Sequence, residues 1–147
     1  MSSKKSARIA DLIAGRQGQG YDAHYLAFFD CFNLGLFYEA HDVLEELWLP
    51  NRKGPDGAFY KGLIQLAGAF VHLQKNRLQP SASLFKLAAA NLGQYVPLQH
   101  DLDVTVVLRL IEDWLQKLKA GDYQVNPLEL NVPPELHLSG AFGGGTE

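Results

Sequence analysis

Apolar residues recur at three- and four-residue intervals along almost all of the sequence between residues 21 and 121. This spacing is typical of α-helices with one buried face, and no strand-like alternation is long enough to build a sheet. Prolines and glycines divide the pattern into five segments, with breaks at Gly35, Pro50, Pro97 and Gly121 and a helix start at Pro80. The sequence therefore predicts an all-α fold, a compact bundle of about five helices.

Three regions are predicted along the chain. Its 147 residues are enough for one core of ordinary size. Residues 1–20 are predicted to form a flexible N-terminal segment, and residues 21–121 are predicted to form the helical bundle. Residues 122–147 carry several prolines and a glycine-rich end, which predicts an extended C-terminal arm followed by a disordered tail. This arm could cover a groove of its own bundle or reach a second subunit and so support a homodimer.

Composition and charge argue against several kinds of partner and location. The net charge of -3, without a cluster of basic and aromatic residues, argues against nucleic acid. No apolar run approaches the ~20 residues of a membrane helix, and the N-terminus lacks the apolar stretch of a secretory signal. The single cysteine, Cys31, permits no intrachain disulfide and favours a reducing compartment. We therefore expect a cytoplasmic protein, with a transit peptide in residues 1–20 as the alternative.

The stretch FYEAHDVLEELW, residues 37–48, carries the most informative polar residues. At ~100° per residue, His41 and Glu45 are neighbours on one helical face, with Tyr38 and Trp48 one turn away. That face also carries large apolar residues, so we predict that it points inward. A buried polar pair costs stability unless it is partnered, which makes His41 and Glu45 either a structural lock or a site. The predicted outer, acidic side of the helix consists of Glu39, Asp42 and Glu46.

Two polar residues of the next predicted helix are candidates to contact His41 and Glu45. Gln65 and His72 lie seven residues apart, so they share a helical face, and Gly68 between them leaves room for a close approach. We expect both to face His41 and Glu45 across a shared space. The alternative is that this stripe is solvated, because Lys61 and Lys75 project in about the same direction.

Glu39 has a different predicted role. It points ~160° away from His41 on a regular helix, so the two side chains cannot bind one metal ion. Near the helix N-terminus its carboxylate would interact favourably with the helix dipole. Pairing with Arg52 or Lys61 is the alternative.

Three stretches of the chain resemble a known family: FNLGLFYEAHDVLEELW, KGLIQLAGAFVHLQKN and SLFKLAAANL. Together they are similar to the bacterial, archaeal and plastid domain of unknown function family number 309, over about residues 25–97. The resemblance implies an all-helical bundle of about five helices and no established activity. Asp42 departs from the family pattern, in which glutamate is expected. The residues that occupy the family's signature positions are Glu39, His41, Glu45, Trp48, Gln65 and His72.

The first functional hypothesis is a binding or structural module without a cofactor. In it His41, Glu45, Gln65 and His72 form a buried hydrogen-bonded network that fixes how two helices meet, and the partner is an unidentified protein or small molecule. Such a network requires its ring nitrogens and carboxylate oxygens to be paired at ~2.7 to 3.2 Å, with no gap between them.

The second hypothesis is a hydrolase-like enzyme. His41, Glu45 and His72 would bind a divalent metal such as zinc, iron or manganese, whose open position activates water. A metal-free variant would use Glu45 to orient His41 as a general base. Against this hypothesis, the sequence has no HExxH, no cysteine pair, no phosphate-binding glycine loop and no nucleophile elbow.

Overall fold

The computed structural model of the protein describes residues 9–11, 13–15, 18 and 20–139. Most of these residues belong to long helices, so the prediction of an all-α bundle is confirmed. Short 3₁₀ helices span Gly93–Tyr95 and Pro127–Glu129, and a small antiparallel hairpin pairs β1 (Leu98–Gln99) with β2 (Leu102–Asp103). The long helices are α1 (Ala23–Asn33), α2 (Phe37–Asn51), α3 (Gly57–Gln74), α4 (Leu78–Leu92) and α5 (Val104–Ala120).

Side chains satisfy backbone groups at several helix ends. Asp103 caps the start of α5, where its carboxylate accepts a hydrogen bond from the Val106 backbone N–H at 3.0 Å. Helix α2, in contrast, continues through Pro50, where the sequence pattern predicted its end. The Asn51 side chain donates to the Leu47 carbonyl at 2.8 Å, which satisfies an acceptor that the end of the helix leaves open.

Helix α3 lies at the centre, in contact with α2 on one side and α4 on the other. Phe70 of α3 is fully buried, and its ring contacts rings from the other four helices. The closest of these is Phe37 of α2, stacked at 4.9 Å between ring centroids, and the others are Phe32, Phe85 and Trp114. These contacts join the five helices in one core and so fix the positions of α2, α3 and α4 relative to one another.

The C-terminal arm lies along its own bundle. Asn126 is buried and donates to the Leu73 carbonyl at 2.6 Å. Farther on, Asn33 exchanges two hydrogen bonds with the backbone of Leu136, at 2.7 and 2.8 Å. The Ser139 backbone N–H donates to the Asp101 carbonyl at 2.7 Å. Residues 122–139 therefore form an ordered arm that covers part of this chain.

Both predicted terminal segments are described only in part. Residues 9–11, 13 and 14 of the N-terminal segment are helical, and Ile9 packs in the core. Residues 1–8, 12, 16, 17 and 19, and the predicted tail at residues 140–147, lie outside the described residues. No helix within the described part of the chain is long and apolar enough to span a membrane.

Candidate functional site

A pocket with a volume of about 240 Å³ opens between α2, α3 and α4. Helix α3 forms most of its wall, through residues spaced three and four apart that share one face of the helix. Helix α2 adds two aromatic rings, and α4 adds one apolar side chain. The lining residues are Tyr38 and His41 from α2, Lys61, Ile64, Gln65, Gly68, Val71 and His72 from α3, and Leu84 from α4.

Gln65 has its side-chain orientation fixed from outside the pocket. Asn91 of α4 donates a hydrogen bond from Nδ2 to the Gln65 Oε1 atom at 2.7 Å. This bond uses one of the two lone pairs of the amide oxygen and orients the amide, so the Gln65 NH₂ group remains available to donate to a ligand.

His72 contributes a buried nitrogen to the same wall. Its Nδ1 atom is buried and has no hydrogen-bond partner among the described residues. A buried polar atom left unpaired costs roughly 1–3 kcal/mol, so such atoms are uncommon in folded proteins. Burial lowers the pKa of His72 below its ordinary value, and the positive charges of Arg77 and Lys75 lower this pKa further. The imidazole is therefore neutral at neutral pH.

Lys61 brings a positive charge to the pocket. Its Nζ atom lies 4.3 Å from the centroid of the Trp48 ring, a cation–π contact. Lys61 forms no salt bridge with any residue in the part of the chain that the structure describes. The residues that line the pocket include no aspartate or glutamate, although carboxylate oxygens of Asp42 and Glu45 lie within 4.8 Å of a His41 ring nitrogen.

Helix α2 is oriented differently from our prediction. Asp42, expected on the outer side, is only 5% exposed, whereas Tyr38, expected to point inward, is 55% exposed and lies at the pocket's edge. The reason is that α1 and α3 both pack against α2, which extends its buried side to small residues that the prediction left out. His41, Glu45 and Trp48 are consequently only partly buried. The buried apolar residues of α2 are Phe37, Ala40, Val43 and Leu44.

The predicted network of His41, Glu45, Gln65 and His72 does not form. His41 Nδ1 lies 3.1 Å from the Asp42 carboxylate, Gln65 bonds to Asn91, and His72 Nδ1 has no partner among the described residues. The pocket nevertheless brings His41, Gln65 and His72 to one space. Glu39 lies in the first turn of α2, where a carboxylate favours the helix dipole, and does not line the pocket.

The predicted metal ligands are also grouped differently. His41, Asp42 and Glu45 each offer one ligand atom, and these atoms lie within 4.8 Å of one another. His72, the third ligand that we predicted, is not part of this group, and Asp42 takes its place. Nitrogen and carboxylate oxygen donors of this kind suit zinc, iron or manganese.

A second polar group, which sequence reasoning missed, surrounds the turn between β1 and β2. His100 and Asp101 form this turn with φ angles of 47° and 60°, the conformation of a two-residue hairpin loop. The usual Asn-Gly signal for such a loop is absent, so the sequence gives little sign of it. We refer to Tyr21, Tyr25, Asp56, Gln99, His100 and Asp101 as the hairpin cluster.

Hydrogen bonds connect the members of the hairpin cluster to one another. His100 Nε2 lies 3.0 Å from one Asp56 oxygen, and Gln99 donates to the other oxygen at 2.8 Å. Tyr25 donates to the His100 carbonyl at 2.9 Å, and Tyr21 donates to the Asp101 carboxylate at 2.8 Å. Burial raises the pKa of Tyr25, and the hydrogen bond to Asp101 raises the pKa of Tyr21, so both hydroxyls remain protonated donors.

Comparisons with curated proteins and with solved structures gave no significant match. The model of one protein family matches residues 25–84, which run from α1 to the middle of α4 and include every residue that lines the pocket. The resemblance noted in the sequence is therefore confirmed over these residues, which match the model of the family described as Domain of unknown function (DUF309).

Proposed function

We propose that the protein is a binding module whose pocket between α2, α3 and α4 takes a small organic molecule. The observation that carries this proposal is the buried His72 Nδ1 atom, which has no hydrogen-bond partner among the described residues and belongs to a residue of the pocket wall. A purely structural lock would pair its buried polar atoms, because an unpaired one reduces stability. A ligand in the pocket would supply the missing partner.

The size and lining of the pocket limit the ligand. Its volume of about 240 Å³ is smaller than the ~300 to 1,000 Å³ typical of sites for drug-sized molecules. Apolar side chains, Ile64, Val71 and Leu84, lie beside polar ones, which is the usual composition of a small-molecule site. The ligand is therefore a small metabolite with a polar group and a short apolar part.

Fragment binding followed by NMR tests this proposal. We expect small organic molecules to shift the signals of the Gln65 side-chain amide and the His72 imidazole in the full chain. Val71→Phe, which narrows the pocket, should abolish these shifts. Leu87→Phe is the control, because Leu87 is 51% exposed on α4 and does not line the pocket. Fragments that bind the Val71→Phe protein as well as the original would contradict the proposal.

A metal site is the second candidate, because the donor atoms of His41, Asp42 and Glu45 lie within 4.8 Å of one another. A bound divalent ion such as zinc, iron or manganese would supply a Lewis acid at the pocket's edge. In the metal-free form of this hypothesis, Asp42 rather than Glu45 orients His41, given their 3.1 Å contact.

Metal analysis of protein purified without chelator tests this second candidate. Stoichiometric metal that is lost in His41→Ala but kept in His24→Ala, a histidine outside the group, would support it. Calorimetry with added zinc and manganese completes the experiment. No metal in the purified protein, together with no binding of added ions, would eliminate the metal site.

The location of the protein is also a proposal. Cys31 is the one cysteine of the sequence, and it lies buried in the core. A chain with a single cysteine can form no disulfide within itself, which suits the reducing cytoplasm. We therefore propose a cytoplasmic protein.

A further inference from the structure

We propose that the ligand of this pocket is a small organic anion, a molecule with one carboxylate or phosphate group on a short apolar body. This inference rests on the proposed function and gives the chemical class of the ligand. It follows from the charge of the pocket, the hydrogen-bonding groups in its wall and the position of its apolar side chains.

The charge of the pocket favours an anion. Among the residues that line it, Lys61 carries a permanent charge and none is acidic. The Trp48 ring, 4.3 Å from Nζ, holds this ammonium group without neutralising it. Since Lys61 has no salt bridge in the described chain, an anionic ligand would be its first counter-ion.

The hydrogen-bonding groups of α3 favour the same class. Lys61 and Gln65 are four residues apart and His72 is seven residues farther, so the three side chains lie along one face of the helix. Lys61 can only donate hydrogen bonds, and Gln65, whose oxygen already accepts one bond from Asn91, can donate from its NH₂ group. Carboxylates and phosphates are matching ligands, because their oxygens accept several hydrogen bonds at once.

His72 adds a group that responds to the ligand's charge. It is neutral in the free protein, because burial lowers its pKa. A negative charge beside the ring favours its protonated form, in which both nitrogens donate. An anion beside the ring would therefore favour the protonated imidazole as a hydrogen-bond donor.

The rest of the wall argues for an organic anion rather than a bare inorganic ion. Ile64, Val71 and Leu84 line the pocket with apolar surface, which an inorganic ion would leave without contacts. A volume of about 240 Å³ accommodates an anionic group together with a short chain or a single ring.

Four probes of nearly equal shape test this inference: benzoate, phenyl phosphate, neutral benzamide and cationic benzylamine. Binding to the full chain is measured by calorimetry and by NMR shifts at Gln65 and His72. Because charge-assisted hydrogen bonds are roughly twice as strong as neutral ones, we expect an anion to bind about tenfold more tightly than benzamide. The order of benzoate and phenyl phosphate identifies which anionic group the pocket prefers.

Variants of Lys61 test the source of the selectivity. Lys61→Gln should weaken anion binding about tenfold, and Lys61→Arg should keep most of it, since Arg keeps the charge. Lys53→Gln is the control, because it removes the same charge from an exposed residue that does not line the pocket. Unchanged melting temperatures establish that the variants fold.

The outcomes separate this inference from the proposed function. Benzamide binding in the pocket as tightly as the anions would overturn the inference and leave the binding module intact. Anion binding that Lys61→Gln does not weaken would also overturn it. If none of the four probes shifts the Gln65 or His72 signals, both the inference and the proposed function are contradicted.

Discussion

The pocket and the hairpin cluster both contain histidine, tyrosine and amide side chains, but they differ in whether their polar atoms have hydrogen-bond partners. In the hairpin cluster, His100, Asp56 and Gln99 bond to one another, and Tyr25 bonds to the backbone of the turn. In the pocket, His72 Nδ1 has no partner within the described residues. The two regions therefore differ in the pairing of their polar atoms rather than in their composition, and this difference supports the binding role that we propose for the pocket.

The hairpin cluster also explains how the β1–β2 turn is maintained. His100 and Asp101 have positive φ angles, which cost a non-glycine residue roughly 1 kcal/mol or more each. The bonds from Tyr21, Tyr25 and Asp56 offset this cost and connect α1 and the α2–α3 loop to the hairpin. We therefore assign the cluster a structural role, in contrast to the binding role that we propose for the pocket.

The largest expected contrast is between the two histidines. His100→Ala removes the bond to Asp56 and ring contacts with Tyr25 and Tyr60, so we expect the free energy of unfolding to fall by roughly 2 kcal/mol. His72→Ala removes an unpaired polar atom together with the packing of a partly buried ring, and because these two effects oppose each other, the free energy of unfolding should change by less than about 0.5 kcal/mol. Urea denaturation of both variants measures the difference. Equal losses of stability in His100→Ala and His72→Ala would contradict the different roles of the hairpin cluster and the pocket.

A smaller contrast is expected between two tyrosines. Tyr25 is 2% exposed and donates to the His100 carbonyl, so Tyr25→Phe should cost about 1 kcal/mol by leaving that acceptor unpaired. Tyr38, 55% exposed at the pocket's edge, makes no hydrogen bond within the described chain, so Tyr38→Phe should leave stability unchanged. Thermal unfolding measures both. A clear loss of stability in Tyr38→Phe would show that the pocket is also a structural cluster.

The helices could be predicted from the sequence because the pattern that indicates them is local. The spacing of apolar residues and the breaks at prolines and glycines depend on neighbours a few residues away. The sequence also predicted that Gln65 and His72 share one face of α3, because they are seven residues apart, and both line the pocket.

The same reasoning failed where contacts are long-range. The burial of Asp42 depends on what packs around α2, and a helical period shows which residues share a face but not how many sides are covered. The hairpin cluster joins Asp56 to His100 across 44 residues and Tyr21 to Asp101 across 80, so no sequence spacing indicates it. Asn91 was missed for the same reason, since it reaches Gln65 from another helix.

The bond from Asn91 to Gln65 pairs a side chain of the pocket wall in the way that the members of the hairpin cluster are paired. Both side chains are partly exposed, so Asn91→Ala should lower the free energy of unfolding by only about 0.5 kcal/mol. The same change frees the Gln65 amide to rotate, and we expect weaker benzoate binding by roughly threefold. Asn51→Ala, which removes an amide at the end of α2, is the control. Benzoate affinity that Asn91→Ala leaves unchanged would show that Gln65 does not need to be oriented.

The smallest expected effect is the pH dependence that His72 contributes. Burial, with Arg77 and Lys75, lowers its pKa in the folded protein below the value of about 6.5 expected in the unfolded chain. As pH falls through this window, the unfolded state takes up the proton first, so the free energy of unfolding decreases until the folded pKa is passed. His72→Gln should remove this part of the decrease between pH 7.5 and 5, measured by urea denaturation. An identical pH dependence in the original protein and in His72→Gln would contradict the lowered pKa of His72 in the folded state.

Benzoate should shift the pKa of His72 in the opposite direction. Its negative charge should raise the NMR titration midpoint of His72, and a midpoint that stays fixed while benzoate is bound would place the anion away from this ring.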